Sequence, residues 1–225
     1  MQEGALDRSV PVSDLLRKAK VVAAKLGLTS LSQWADRELN GYKSGEEVPS
    51  YREVYGQVKG WNPMRGWVPV MYEDPRMQAF ESKNVVTQAV AEIEDLLTRG
   101  DGSYILPYGP RKLAGAGFRM TTDVALELER ACFVGLLDAV RNAILNWSLE
   151  LEKAGIRGEG VAFSKQEKAK AGDPKVSISI GHIEHFTGNV GEISGGANIS
   201  STMVMRLFRA PDLNPADRQN QPACR

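Results

Sequence analysis

The chain has 225 residues, enough for one domain of ordinary size with appendages, and 42% apolar with 25% charged content suits a packed core. Its 28 basic and 28 acidic residues cancel, which argues against a protein that holds nucleic acid by bulk positive charge but leaves room for a local basic patch. The opening MQEGALDRSVPVSD lacks the apolar stretch of a signal peptide, and no run approaches the ~20 apolar residues of a membrane span, so a soluble, cytoplasmic chain without a membrane partner is expected.

In chain order, Ser13 is placed as the N-cap of a first helix with the apolar stripe Leu15, Ala19, Val22 and Leu26, ended by Gly27. Ser30 and Gln33 have capping-box spacing for a second, in which Leu31, Trp34, Ala35 and Leu39 pack and Gly41 is the stop. The two are expected to pair as a hairpin against a longer helix. Tyr51 to Val58 alternates and predicts a strand broken at Gly56. The following GWNPMRGWVPVMYEDP, with Trp61, Trp67 and Tyr72, predicts an irregular aromatic loop, either folded over the helices or lining a binding site. A helix over Thr87–Arg99 turns Val90, Ile93, Leu96 and Leu97 inward, and Tyr104 to Leu106 suits a short strand.

Residues 122–153 then predict one long helix capped by Thr121 or Thr122, with anchors Leu126, Phe133, Leu137, Val140, Ile144, Trp147 and Leu151. Cys132 falls within it as a small core residue, and Cys224 is expected as an exposed thiol on the tail. Ser164 caps a short charged helix ending at Ala171. The fold class expected is α+β, mostly α: a helical bundle on the long central helix, with a small β element, the aromatic loop and a glycine-rich β segment. The domain division is 1–160 for the helical body, 161–175 for a linker with a short helix, 176–205 for the β segment and 206–225 for a disordered tail.

The β segment reads VSISIGHIEHFTGNVGEIS, with Val176, Ile178 and Ile180 alternating and Ile183, Phe186, Val190 and Ile193 following at glycine-punctuated turns. Two or three such strands are marginal alone. These seven apolar residues are therefore expected to mediate oligomerisation, most simply between copies of the chain. His182, Glu184 and His185 lie in it, but on a strand His185 points away from the other two and a fourth ligand is missing, so no metal is expected. Phosphate-loop, nucleophile-elbow and zinc patterns are absent, and no cofactor is expected. The acidic groups Glu92, Glu94, Asp95 and Glu127, Glu129 suit solvated helix faces.

The stretch VRNAILNWSLELE, Val140–Glu152, resembles the helical ribonuclease motif of HEPN domains, in which an arginine and a polar neighbour precede a histidine by one turn. Asn146 stands at the histidine's position, and an amide cannot shuttle a proton near neutral pH. Catalytic candidates are accordingly limited to Arg141, Asn142 and Glu150, and binding candidates to Trp61, Trp67, Tyr72 and Arg141. The bland alternative has Arg141 and Asn142 bonding carbonyls of the aromatic loop.

Taken together, VPVSDLLRKAKVVAAKLG, WADRELNGY, PSYREVYGQVKG, VAEIEDLL and VRNAILNWSLELE resemble the AbiTii family of bacterial abortive-infection proteins over roughly Val10 to Glu159. The resemblance implies a mostly helical phage-defence module with other defence proteins as partners. A non-enzymatic scaffold or sensor is the reading expected from it. The alternatives are a toxin-like ribonuclease or nucleotide-acting effector, with the tryptophan loop as a lid, and a binder of a small signal in the aromatic pocket.

Overall fold

The structure, a computed structural model, describes residues 1–100, 102–112, 121–158, 162–171 and 208–209. They fall into two compact units. The first holds Met1–Arg52, Thr87–Thr98 and the described chain from Val134; the second holds Glu53–Val86, Arg99–Phe133 and Phe208–Arg209. The architecture is α+β.

In the first unit, α1 (Gln2–Leu6) leads into α2 (Val12–Leu26) and α3 (Thr29–Asn40), which form the expected hairpin and pack on α5 (Val90–Thr98). Leu15, Leu16, Ala19, Val22, Ala23 and Leu26 are buried along α2, as the period of 3.6 requires. Gly27 ends it at φ 74°, the left-handed conformation only glycine adopts cheaply, and the Leu28 N–H closes onto the Ala23 carbonyl. The N-caps differ from expectation. Ser13 makes no cap; the Val12 and Ser13 amides donate instead to Glu94 of α5, which therefore serves as a remote cap rather than a purely solvated acid. Ser30 and Gln33 form no capping box either, since α3 begins at Thr29 without a side-chain cap.

The second unit carries two sheets. β1 (Glu53–Tyr55) pairs with β4 (Lys83–Val85), and a five-stranded antiparallel sheet runs in the order β3-β2-β6-β5-β7: Gly66–Pro69, Gln57–Asn62, Thr121–Leu128, Tyr104–Lys112 and Phe208–Arg209. The helix α4 (Pro75–Ser82) lies against β2 and β4. The break at Gly56 is real and separates β1 from β2.

Expectations about three elements are corrected here. Thr121–Leu128 is a strand, so the long helix is α6 (Arg130–Lys153) and neither Thr121 nor Thr122 is its cap. The reason is visible in the residues: Val124, Leu126 and Leu128 are buried at a spacing of two, facing Val58 and Leu106, and β-branched Thr121, Thr122 and Val124 suit a pleated surface. The seven-residue step from Leu126 to Phe133 fitted a helix equally well. Within α6 the three-and-four stripe holds as Phe133, Leu136, Val140, Ile144, Trp147 and Leu151, with Leu136 rather than Leu137 turned inward. Second, the aromatic loop is largely a hairpin, β2–β3, in which Trp61 faces Trp67 and the Asn62 carboxamide oxygen accepts from the Met64 and Arg65 amides in the turn. Third, β5 runs from Tyr104 to Lys112 with a register shift between Pro107 and Gly109, where a short strand over Tyr104 to Leu106 was expected. Cys132 is half-buried, its thiol directed at the Tyr55 carbonyl, rather than in the core.

The short helix α7 (Lys165–Ala171) is exposed except at half-buried Glu167 and buried Ala171, and Ser164 caps it as expected, with Glu167 completing a capping box. The Glu167 amide donates to Ser164 Oγ at 3.2 Å, and Glu167 Oε2 accepts from the Ser164 amide at 2.8 Å. The Gly158 and Arg157 amides also donate to this carboxylate. Hydrogen bonds from Gly158 and Ser164 pull its pKa down to about 2 from 4.5. Because the folded value is depressed, the cap is intact above 4.5 and is lost as pH falls toward about 2. Amide chemical shifts of Gly158 and Ser164 should titrate in that window, and a midpoint at 4.5 would contradict the network. Residues 176–205 lie outside the described residues, as do His182, Glu184, His185 and Cys224.

Candidate functional site

Helix α6 presents two adjacent stripes. Arg141, Leu145, Ser148 and Glu152 recur at steps of four, three and four, so they share one face. The half-buried Arg141 donates from Nη1 to the carbonyls of Gly4 (3.2 Å), Ala5 (3.5 Å) and Asp7 (2.9 Å), and from Nη2 to that of Val10 (2.6 Å). Its positive charge thus meets the carboxyl end of α1, where carbonyls lack intrahelical partners. The Asp7 carboxyl is held below the ordinary carboxylate range by the Ser9 hydroxyl and amide, with Arg141 adding to the effect. Further along the stripe, Gln2 Nε2 donates to Glu152 Oε2 at 2.9 Å. Arg141 therefore bonds carbonyls, but of α1 and the link from it to α2 and not of the aromatic hairpin.

Asn142 and Asn146 are exposed on the neighbouring stripe. Glu150 is exposed and pairs with Lys153 at 2.7 Å. Nine residues at ~100° each place it on the side of the helix opposite Arg141. The three catalytic candidates thus share an element without converging on one point.

Of the binding candidates, Trp61 and Trp67 are half-buried and meet edge-to-face at 5.6 Å and 70° in the second unit, and Met64 in the turn between their strands is exposed. Tyr72 shares its surroundings with Glu81, Tyr108 and Arg111. Arg111 stacks 4.5 Å above the Tyr108 ring and reaches Glu81 at 3.4 Å, while Asn84 donates to the Tyr108 hydroxyl at 3.1 Å. The Tyr72 hydroxyl is buried and has no partner; burial and then the Glu81 charge push it up to about 12. Arg141 belongs to the first unit.

A buried polar cluster lies where the apolar pattern gives no sign of it. Glu38 and Arg52 are both fully buried and joined at 2.5 Å. Glu38 Oε1 also accepts from the hydroxyls of Tyr42 (2.7 Å) and Tyr51 (2.6 Å). Arg52 Nη1 donates to the Gln88 carbonyl (2.8 Å), its guanidinium lies 4.8 Å from the Tyr42 ring centre, and Trp34 Nε1 donates to the Tyr51 hydroxyl (2.9 Å). Burial and the Glu38 charge push both tyrosine hydroxyls well above their usual range, so they remain donors. A buried carboxylate is tolerable only with such partners. The signal was present in the sequence: Glu38 and Tyr42 stand in WADRELNGY, Tyr51 and Arg52 in PSYREVYGQVKG.

The other shared strings behave alike. VAEIEDLL supplies Glu94, which caps the helix of VPVSDLLRKAK, and VRNAILNWSLELE supplies Arg141 and Glu152, which hold α1. Each distinctive string therefore pairs with another part of the chain. Among the described residues, no group of three His, Cys, Asp or Glu could hold a metal ion, and no helix is long and apolar enough to cross a membrane. An open depression of about 190 Å³ at the α2–α3 turn, lined by Ala23, Gly27, Thr29 and Gln33 among others, falls short of the roughly 300–1,000 Å³ typical of ligand pockets.

Neither a curated protein nor a solved structure matches the chain. A family model described as AbiTii matches residues 1–176 of the 225, which takes in all five strings that carry the resemblance. The chain belongs to the AbiTii family, and with it to abortive-infection phage defence in general.

Proposed function

We propose that the protein acts in phage defence as a cytoplasmic interaction module, a scaffold or sensor that self-associates through residues 176–205. The observation that carries this reading is the pairing of β7. Phe208–Arg209, directly after the glycine-rich stretch, add to the edge of β5 opposite Ile105 and Tyr104. The carboxy-terminal stretch thus contains backbone that seeks a sheet edge, and the alternation of Val176, Ile178 and Ile180 gives the preceding stretch the same need. The family's place in phage defence supports the setting, with other defence proteins as further partners. The ribonuclease alternative, using Arg141, Asn142 and Glu150, draws less support, because Arg141 spends its donors on four backbone carbonyls.

Light scattering across a wide concentration range tests this. The full chain should exceed the monomer mass of 24.6 kDa, and both a chain ending at Ala171 and an Ile178→Asp/Ile180→Asp variant should fall to a smaller species while keeping their helical signal. Monomers throughout, with the full chain included, would overturn the reading.

A further inference from the structure

We infer that Met1–Val10 is a releasable strap, closed over α6 chiefly by the side chain of Arg141 and able to open without unravelling the helix that follows. Three features of the described residues carry this, and none depends on self-association.

First, the strap cannot hold its own shape. The helix α1 has five residues, has no side-chain cap, and buries only Ala5, while Leu6 is 72% exposed. A helix so short is unstable in water without external contacts. Second, one group ties the whole segment. The acceptors of Arg141 begin at Gly4 inside α1 and end at Val10, one residue before Pro11, so losing that guanidinium frees the helix and its link together. The remaining polar ties are the Gln2 bonds to Glu152 and to the Ser148 carbonyl.

Third, the chain is clamped immediately downstream by something other than the strap. The first amides of α2, Val12 and Ser13, are satisfied by Glu94 of α5. Opening therefore leaves the cap of α2 in place, and the hinge is confined to Asp7–Pro11. Once open, the strap uncovers the Arg141 charge and the flank of Leu15, against which Gly4 packs closely enough that an added Cβ would lie 3.0 Å from Leu15 Cδ2. Asn142 and Asn146 are accessible already, so Arg141 is the member of that motif which the strap holds back.

Hydrogen exchange on the full chain tests this, read at the Ala5, Asp7 and Val10 amides, which donate to Met1, Glu3 and Asp7 carbonyls. In the unaltered protein these three should exchange as one block, faster than the core of α2. Arg141→Ala should speed the block at least tenfold, leave Leu15–Leu26 unchanged, and accelerate tryptic cleavage after the exposed Arg8. Gly4→Ala, which disturbs the Leu15 contact while keeping the Arg141 side chain itself, should open the same block and decides the matter if the first variant misfolds. The inference is overturned if strap amides keep their original rate in the folded variants, or if α2 loses protection along with them.

Discussion

Replacing Arg52 by methionine is expected to lower the unfolding free energy by about 3–5 kcal/mol, because it strands a fully buried Glu38 carboxylate. For a chain of this size that corresponds to a fall of roughly 10 °C in melting temperature. The cost arises from the unpaired charge more than from the lost attraction. A Glu38→Leu/Arg52→Met chain removes both charges and should therefore be more stable than Arg52→Met alone, although it leaves the Tyr42 and Tyr51 hydroxyls short of an acceptor. Thermal or denaturant melts of the single and double variants complete the cycle. If the double variant is no more stable than the single, the network is not governed by charge burial. The position of the pair explains why it matters: Arg52 is the last residue of the first unit before the chain leaves it, and Gln88, whose carbonyl Arg52 holds, comes just after its return.

Gly56→Ala should be the most damaging small substitution in the second unit. A Cβ there would meet the Glu127 carbonyl oxygen at 2.3 Å and the Leu126 and Leu128 side chains at 2.9 Å, and a backbone atom of a central strand cannot yield as a side-chain tip can. The amide of Gly56 is also committed, donating to the Ser82 carbonyl at 2.9 Å. A loss of about 3 kcal/mol is expected, at the upper end for overpacking. Amide protection should fall first along β6 and β2. Unchanged protection at Val58 and Leu126 in the alanine variant would show that the strands can part at little cost.

What could be read from the residues was whatever depends on near neighbours. The stripes of α2 and α6, the inward Val90 and Ile93 of α5, the glycine stop at Gly27 and the Ser164 cap are all settled within a few positions, and each is present. Long-range substitutions for local signals were invisible. Glu94 takes, from 81 positions away, the cap that Ser13 was expected to supply, and no local pattern marked Glu38 as the acid that Arg52 and two tyrosines close on. Thr121–Leu128 failed for a different reason: its spacing satisfies both periods, and only pairing with β2 and β5 decides between them. At the candidate site, the sequence marked Arg141 as unusual, yet nothing local indicated that its partners lie some 130 residues upstream.

The prolines of β5 have a consequence for how many molecules can join. Pro107 and Pro110 carry no N–H, and the shift at Pro107/Gly109 twists the strand out of line just beyond the two residues that β7 covers. At the opposite border β3 is four residues long and also finishes in a proline, Pro69. Both margins are thus blunted, so one molecule's sheet makes a poor template for the next, and growth into an endless ladder is discouraged.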